Sequence, residues 1–202
     1  MAGVVLAGGK STRFGSDKAS ALLRGRPLLQ FVADAVTMVC SPLVVVRAHG
    51  QALPALAWSP SPIVVVEDFA EAEGPVAGLI AGLRAVREPL AFVTSCDAPL
   101  LRTALMEGLR EAVAGFEAAV PEVEGRRQPL VGVYRVGPAL RALETAYSAG
   151  ERQLTEALAP LKTAEMDEET VCRFDPELLS FWNANSPETL AEIEAMLAAA
   201  RQ

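Results

Sequence analysis

The sequence predicts an α/β fold in which a mostly parallel sheet carries helices on both faces, a three-layer, Rossmann-like arrangement. Short, valine-rich apolar runs alternate with longer stretches of helical spacing along the 202-residue chain, and this alternation is typical of parallel sheets covered on both sides. Three of the runs end abruptly in Gly8, Glu67-Asp68 and Cys96-Asp97. Ligands of such sheets bind outside the carboxyl ends of the strands, so we expect these residues to share one crevice.

The predicted strands are short buried runs bounded by turn residues. They cover residues 2–7, 43–46, 63–66, 90–94, 118–121 and 129–135, with an edge strand at 162–166. Helical spacing predicts helices at residues 27–39, 74–86, 102–114, 138–147 and 151–159. A last helix follows Ser186, which can cap it, and Pro187 suits its first position.

Composition narrows the class of protein. The length fits a single domain spanning residues 1–202. The net charge of −7 argues against binding to nucleic acid or an anionic membrane, both of which require a basic surface. No apolar run is long enough to span a membrane, and no signal peptide is evident. The three cysteines form neither a disulfide framework nor a zinc motif. We therefore expect a cytoplasmic protein.

The first apolar run ends in the glycine pair Gly8-Gly9. Three cations surround this pair: Lys10, Arg13 and Lys18. A glycine-rich, cationic loop after a strand predicts a cradle for a polyphosphate. It is not a P-loop, because Val4 stands where that motif needs its first glycine. The alternative is an ordinary glycine turn with solvated charges.

Two acids follow predicted strands. Asp97 comes before an Ala-Pro turn, and a carboxylate in that place can bind Mg²⁺ together with substrate phosphates. Asp68 can accept hydrogen bonds from a base or a ribose. The alternatives are a turn or helix-capping role for Asp97 and simple solvation for Asp68.

Other candidates carry weaker signals. Gly74 opens a helix whose first amides are unpaired donors. Asn183 and Asn185 precede the last helix and can read a polar heterocycle, although asparagine also favours turns for its own reasons. Arg152 can meet a phosphate or lie on the surface.

The chemistry that the sequence lacks is also informative. The single histidine, His49, has no partner at catalytic spacing, and no nucleophilic serine elbow is present. Reaction of a phosphate monoester with a nucleoside triphosphate needs neither, because the attacking oxygen is already ionised near pH 7. Such a site must position two anions and neutralise charge. Four residues are the candidates for that catalysis: Lys10, Arg13, Lys18 and Asp97.

Four motifs occur in order along the chain: residues 6–18, residues 67–78, residues 96–99 and residues 181–188. Together they resemble the molybdenum cofactor guanylyltransferase (MobA-type) family of the nucleotidyltransferase superfamily. The Gly8-Gly9 pair resembles the guanylyl branch, and Asn183-Ala184-Asn185-Ser186-Pro187 resembles a motif of the molybdopterin enzymes.

The resemblance implies a nucleotidyltransferase fold and Mg²⁺-dependent transfer of GMP from GTP to the terminal phosphate of molybdopterin. It implies a nucleotide-binding half at residues 1–100, an acceptor-substrate half at residues 101–202, and contacts with cofactor-delivery proteins and molybdoenzymes. The implied nucleotide-binding residues are Leu6, Ala7, Gly8, Gly9, Lys18, Asp68, Gly74 and Asp97. The implied acceptor residues are Arg152, Asn183 and Asn185, and Asp97 is the implied metal ligand.

One departure and two alternatives accompany this interpretation. Family members often carry asparagine where this chain has Arg47-Ala48-His49, so the nucleoside contact there is open. The first alternative is a related transferase for CTP or a sugar phosphate. The second is a nucleotide-binding protein of the same fold without catalysis.

Overall fold

The computed structural model describes residues 1–8, 17–57, 59–70 and 74–199. Its strands are β1 (Ala2–Leu6), β2 (Leu22–Leu23), β3 (Arg26–Pro27), β4 (Leu43–Arg47), β5 (Ile63–Glu67), β6 (Leu90–Ser95), β7 (Ala118–Val123), β8 (Arg126–Arg127), β9 (Val131–Arg135) and β10 (Thr163–Met166). Its α-helices are α1 (Leu28–Thr37), α2 (Pro75–Arg84), α3 (Thr103–Ala112), α4 (Val136–Ser148), α5 (Leu154–Leu158), α6 (Glu168–Cys172) and α7 (Pro187–Ala199).

The central sheet has the strand order β10-β7-β9-β6-β1-β4-β5, and the short strand β8 extends β7. Strand β9 runs antiparallel to both neighbours, whereas the other pairs along this order are parallel. The predicted mostly parallel sheet is therefore confirmed. Strand β1 lies between β4 and β6, so the chain leaves it toward one side of the sheet and later returns on the other. A crevice forms at such a reversal.

Two hydrophobic cores cover the two faces of the sheet, as predicted. Along β1, Val4 faces a core shared with α2, α4 and α5, while Val5 faces a core shared with α1, α3 and α6. Both valines are fully buried. This alternation follows from the two-residue period of a strand and explains why parallel strands are apolar throughout.

The last helix packs away from the two main cores. Leu23 and Leu28, in and after the β2–β3 hairpin, form a third cluster with Ile193 of α7. The cap predicted at Ser186 is confirmed, because its hydroxyl accepts from the amide of Thr189 at 3.3 Å. The hydroxyl of Thr189 accepts from the amide of Ser186 in return, at 3.0 Å. This reciprocal cap fixes where the helix begins.

Two helical elements differ from the prediction. Helix α6 was not predicted, because Val171 is its only buried residue and the segment has no apolar period. Its first turn is instead stabilised by the carboxylate of Asp167, which accepts from the amide of Thr170 at 2.9 Å. Helix α5 begins at Leu154 rather than at residue 151. The carboxylate of Glu151 accepts from the next two amides and forms a turn there instead.

Within the described part of the chain, no helix combines the length and the apolar character that a membrane crossing requires.

The close approach of α2 to the sheet generates a stability prediction. A Cβ atom on Gly82 would lie 2.6 Å from a methyl carbon of Val4 and 2.9 Å from one of Val46. We expect Gly82→Ala to lower the free energy of unfolding by about 1–3 kcal/mol through overpacking, despite alanine's better helix propensity. Urea denaturation followed by circular dichroism measures this change.

The matched control is Gly137→Ala, in the exposed first turn of α4. Its nearest neighbour would be the end of the flexible Arg141 side chain at 3.4 Å, so we expect no destabilisation. Equal stability of the Gly82→Ala variant and the wild type would contradict the close helix–sheet packing.

Candidate functional site

The ends of four parallel strands meet at one edge of the sheet. Beyond the strands themselves, the amide of Ala7 donates to the carbonyl of Val46 at 2.8 Å and that of Cys96 donates to Leu6 at 3.0 Å. The amide of Asp68 donates to Arg47 at 2.8 Å. These hydrogen bonds continue the sheet ladder and bring the expected motifs together at one edge.

Asp97 is the most tightly held group at this edge. It is only 9% exposed, and both carboxylate oxygens have partners. Oδ1 accepts from the hydroxyl of Ser95, and Oδ2 accepts from the ammonium of Lys18 at 2.8 Å. The carbonyl of Asp97 accepts from the amide of Ala184 at 2.8 Å. The carboxylate is therefore nearly buried and held in one orientation at the turn after β6. Its role as a metal ligand stays a prediction.

Lys18 joins the first and last motifs of the sequence. Its Nζ donates to Asp97 and also to the side-chain Oδ1 of Asn185, at 2.7 Å. Asp97 and Asn185 therefore both bind the single positive charge of Lys18. Asn185 was expected to lie toward the acceptor, and the structure shows that its carbonyl oxygen binds this lysine. Its neighbour Asn183 points elsewhere, as described below.

Gly8 has a different role from the one its position suggests. Its amide donates to the carbonyl of Val46 at 3.2 Å, so this amide is used within the sheet. A Cβ atom on Gly8 would lie 2.7 Å from the backbone nitrogen of Ala48. The glycine is required because the ends of β1 and β4 pack against each other here. Gly9, Lys10 and Arg13 lie outside the described residues.

Two residues that the sequence analysis did not select stand beside Lys18. The carboxylate of Asp17 accepts from the amide of Ala19 at 3.2 Å. The side chain of Gln51 donates to that carboxylate at 2.7 Å and to the carbonyl of Ala7 at 3.0 Å. Asp17 belongs to the first motif and was available as a signal. Gln51 lies in an irregular segment and carries no sequence signal.

Asp68 and Gly74 lie on the side of the site that faces α2. Oδ1 of Asp68 accepts from the amide of Ala70 at 3.1 Å, and Oδ2 is 3.3 Å from the point where a Cβ on Gly78 of α2 would lie. Gly74 precedes α2 with a φ of 88°, a conformation that favours glycine. A Cβ at this position would also meet the carbonyl of Arg152 at 3.3 Å.

A cleft of about 260 Å³ opens at the end of β6. Its walls are mostly apolar, and polar groups come from Ser95, Gln128 and Asn183. The lining residues are Pro75, Ser95, Gln128, Pro129, Leu130, Val131, Leu154, Phe181 and Asn183. An apolar cleft with a few polar groups is the usual form of a small-molecule site. Because Ser95 also contacts Asp97, the cleft borders the centre around Lys18.

Arg152 does not line this cleft. Its guanidinium carbon lies 4.1 Å from the centre of the Tyr147 ring, and Nη1 donates to the carbonyls of Tyr147 at 2.9 Å and Glu151 at 3.0 Å. The described contacts thus hold the guanidinium at the carboxyl end of α4, where a cation is favourable. The expectation that Arg152 meets a phosphate of the acceptor stays a prediction.

The segment Arg47-Ala48-His49 forms a polar cluster with β5. Arg47 contacts the carboxylate of Glu67 at 2.6 Å, and His49 approaches the other oxygen of that carboxylate at 3.3 Å. The guanidinium of Arg47 also donates to the backbone carbonyl of Gln51 at 2.9 Å. His49 is largely exposed, so it lies at the surface of the molecule as expected.

Cys96 is a buried thiol beside Asp97. Burial and, secondarily, the adjacent carboxylate of Asp97 raise the pKa of its thiol well above the ordinary value. The protonated thiol lies 4.0 Å from the carbonyl of Ala7. Both effects disfavour the thiolate, which is the form that attacks in covalent catalysis.

The chain is similar in sequence to known nucleotidyltransferases. The family model for MobA-like NTP transferase domains matches residues 3–164. A molybdenum cofactor guanylyltransferase from Desulfosudis oleivorans is 32% identical, covering 98% of this chain and 96% of that protein. One from Pseudomonas putida KT2440 is 41% identical, covering 94% and 95%.

Among solved structures, molybdopterin-guanine dinucleotide biosynthesis protein A from Archaeoglobus fulgidus is similar in fold, with a TM-score of 0.80. It is 25% identical, and the match covers 98% of this chain and 100% of that one.

Proposed function

The chain belongs to the family of MobA-like NTP transferase domains, and we propose that it transfers GMP from GTP to the terminal phosphate of molybdopterin, releasing pyrophosphate. One observation of the structure supports this proposal most directly. The ammonium of Lys18 binds both Asp97 and Asn185, which joins the motif after β1, the motif after β6 and the motif before α7 in one centre.

The chemistry fits the side chains at that centre. The acceptor phosphate is already ionised near pH 7, so the enzyme needs no general base, and the single histidine, His49, lies at the surface beside Glu67. It must instead hold two anions together and stabilise the charge that develops on the leaving pyrophosphate. Lys18 supplies a positive charge for this task, and we assign the same role to Lys10 and Arg13 of the first motif.

Asp97 suits a magnesium ion. Among the described residues, no three acidic, histidine or cysteine side chains lie close enough together to hold a metal ion, so that part of the chain offers no complete set of protein ligands. Mg²⁺ does not need one, because it usually binds one or two carboxylates together with substrate phosphates and water. When bound, Mg²⁺ would neutralise phosphate charge, and Asp97 would hold it.

We assign the nucleotide to the side of the centre formed by β1, β4 and β5. The contacts there would come from Leu6, Ala7, Gly8, Gly9, Asp68 and Gly74, with Lys18 and Asp97 at the phosphates. Asp68 lies between the end of β5 and the first turns of α2. A carboxylate in this place can accept hydrogen bonds from the nucleoside.

We assign the acceptor to the cleft at the end of β6. Its mostly apolar walls suit a flat heterocycle, and Asn183 and Gln128 offer amide donors and acceptors for the polar ring edge. Residues 1–100 would then supply most nucleotide contacts and residues 101–202 most acceptor contacts. The product cofactor would pass to delivery proteins or molybdoenzymes.

The first test of this function removes the carboxylate. We expect Asp97→Ala to lower turnover by about 100-fold or more, the scale of a lost electrostatic stabiliser, while the protein remains folded. Pyrophosphate release is measured with Mg²⁺, molybdopterin and each nucleoside triphosphate in turn. The matched control is Asp34→Asn, because Asp34 pairs with Arg26 on the surface. Near-normal turnover of the Asp97→Ala variant would refute the role of Asp97, and preference for another nucleotide would refute GTP.

A second test uses the competition between Lys18 and a metal ion for Asp97. Because Lys18 Nζ lies 2.8 Å from Asp97 Oδ2, a metal must displace or share that contact. Without nucleotide, we expect Lys18→Met to bind Mn²⁺ about 10-fold more tightly than the wild type, since a charged hydrogen bond of about 1.5–3 kcal/mol no longer competes. Electron paramagnetic resonance of free Mn²⁺ measures the affinity.

In the same series, calorimetry should show weaker GTP binding to Lys18→Met, because a phosphate-facing cation is lost. The control variant Lys18→Met/Asp97→Ala should lose the gain in Mn²⁺ affinity. Tighter binding that persists in this double variant would place the metal elsewhere.

A further inference from the structure

The side chain of Gln51 makes three hydrogen bonds in the irregular segment after β4. Its Nε2 donates to the carbonyl of Ala7 at 3.0 Å and to Oδ1 of Asp17 at 2.7 Å. Its Oε1 accepts from the amide of Ala48 at 2.8 Å. The amide group thus uses both of its N–H donors and its oxygen, so its orientation is fixed.

The two residues that receive these N–H groups flank the glycine motif. Ala7 follows β1 directly, and Asp17 precedes the short 3₁₀ helix at Lys18–Ser20. Asp17 caps that helix through Oδ1, the same oxygen that Gln51 contacts. One side chain therefore joins the end of β1 to the helix that carries Lys18.

This connection acts on the centre through Lys18. Asp17 and Lys18 are adjacent in the chain, and the Lys18 ammonium must reach both Asp97 and Asn185. The end of β4 anchors Gln51 in turn, because Ala48 donates to its side chain and Arg47 donates to its backbone carbonyl. Gln51 therefore links the helix that carries Lys18 to the ends of β1 and β4.

We propose that Gln51 is a positioning residue for nucleotide binding, which holds Ala7 and Asp17 at a fixed separation so that Lys18 meets the phosphates and Asp97. This inference rests on the proposed function. The side chain must be an amide, because it faces two acceptors, the Ala7 carbonyl and the Asp17 carboxylate, and one donor, the Ala48 amide. A glutamate of the same shape would keep only the acceptor.

The test begins with Gln51→Glu. The new carboxylate would face the carboxylate of Asp17 and the carbonyl of Ala7, so it would repel both. We expect GTP affinity, measured by calorimetry without acceptor, to fall by about 10-fold or more, the scale of a lost hydrogen bond to a charged group. The KM for molybdopterin should stay within about two-fold, since the cleft is not touched.

The charge control is Ala52→Glu, which adds the same charge at the exposed neighbouring residue and should leave GTP affinity unchanged. Equal losses in both variants would mean that net charge, not the hydrogen bonds of Gln51, determines affinity. A loss of thermal stability in Gln51→Glu with unchanged GTP affinity would reduce Gln51 to a structural residue and overturn the proposal.

The rescue experiment reverses the hydrogen bond. In Gln51→Glu/Asp17→Asn, residue 17 no longer carries the negative charge that faces the glutamate, and its NH2 group can donate to that glutamate. This donation replaces the cap to Ala19, because one oxygen of Asp17 makes both contacts in the wild type. We expect the double variant to bind GTP more tightly than Gln51→Glu alone, which is a favourable coupling in the double-mutant cycle. Losses that simply add would overturn the proposal.

Different results would refute the proposed transfer of GMP and the proposed role of Gln51. A wild-type protein that binds a different nucleoside triphosphate instead of GTP would refute the proposed transfer of GMP. The affinities of the wild type and the Gln51 variants for that nucleotide would then test the role of Gln51. A wild-type protein that binds no nucleoside triphosphate would refute both. A wild-type protein and a Gln51→Glu variant that bind GTP equally would refute only the role of Gln51.

Discussion

The arrangement of the site depends on the contact between the ammonium of Lys18 and the carboxylate of Asp97. Asp97 is nearly buried, and an uncompensated charge in such a place is costly. Lys18 compensates it, and Asn185 accepts another of the lysine's hydrogen bonds. Three segments that lie far apart in the sequence are thereby held around one charge. The same opposition of charge suits the proposed binding of phosphates and a cation at this centre.

Strand order places the two proposed substrates on opposite sides of this centre. Strand β6, which leads to Asp97, lies between β1 and β9. On the β1 side are Gly8, the end of β4 and Asp68, where we assign the nucleotide. On the other side, β9 runs antiparallel, so its beginning at Val131 pairs with Thr94 near the end of β6. The loop that precedes β9, not the one that follows it, therefore lines the cleft.

Close backbone packing explains why two positions carry glycine. Gly8 leaves room for Ala48 where the ends of β1 and β4 meet, and Gly82 lets α2 approach Val4 and Val46. Both glycines allow β1, β4 and α2 to pack closely on the side where we assign the nucleotide. Gln51 extends this effect beyond the strands, because it ties the end of β1 to the helix that carries Lys18. The position of Lys18 thus depends on contacts that start at the closely packed ends of β1 and β4.

The sequence by itself determined the fold class, most strand and helix positions, the cap at Ser186 and the convergence of Asp68 and Asp97 at one edge. These follow from local rules: the apolar period, capping chemistry and the geometry of parallel strands. Only the tertiary structure decided the antiparallel direction of β9, the contact of Lys18 with Asn185, the stacking of Arg152 on Tyr147 and the hydrogen bonds of Gln51. Each of these depends on which distant segments pack together, and a side chain such as Gln51 acquires its partners only after that packing is complete.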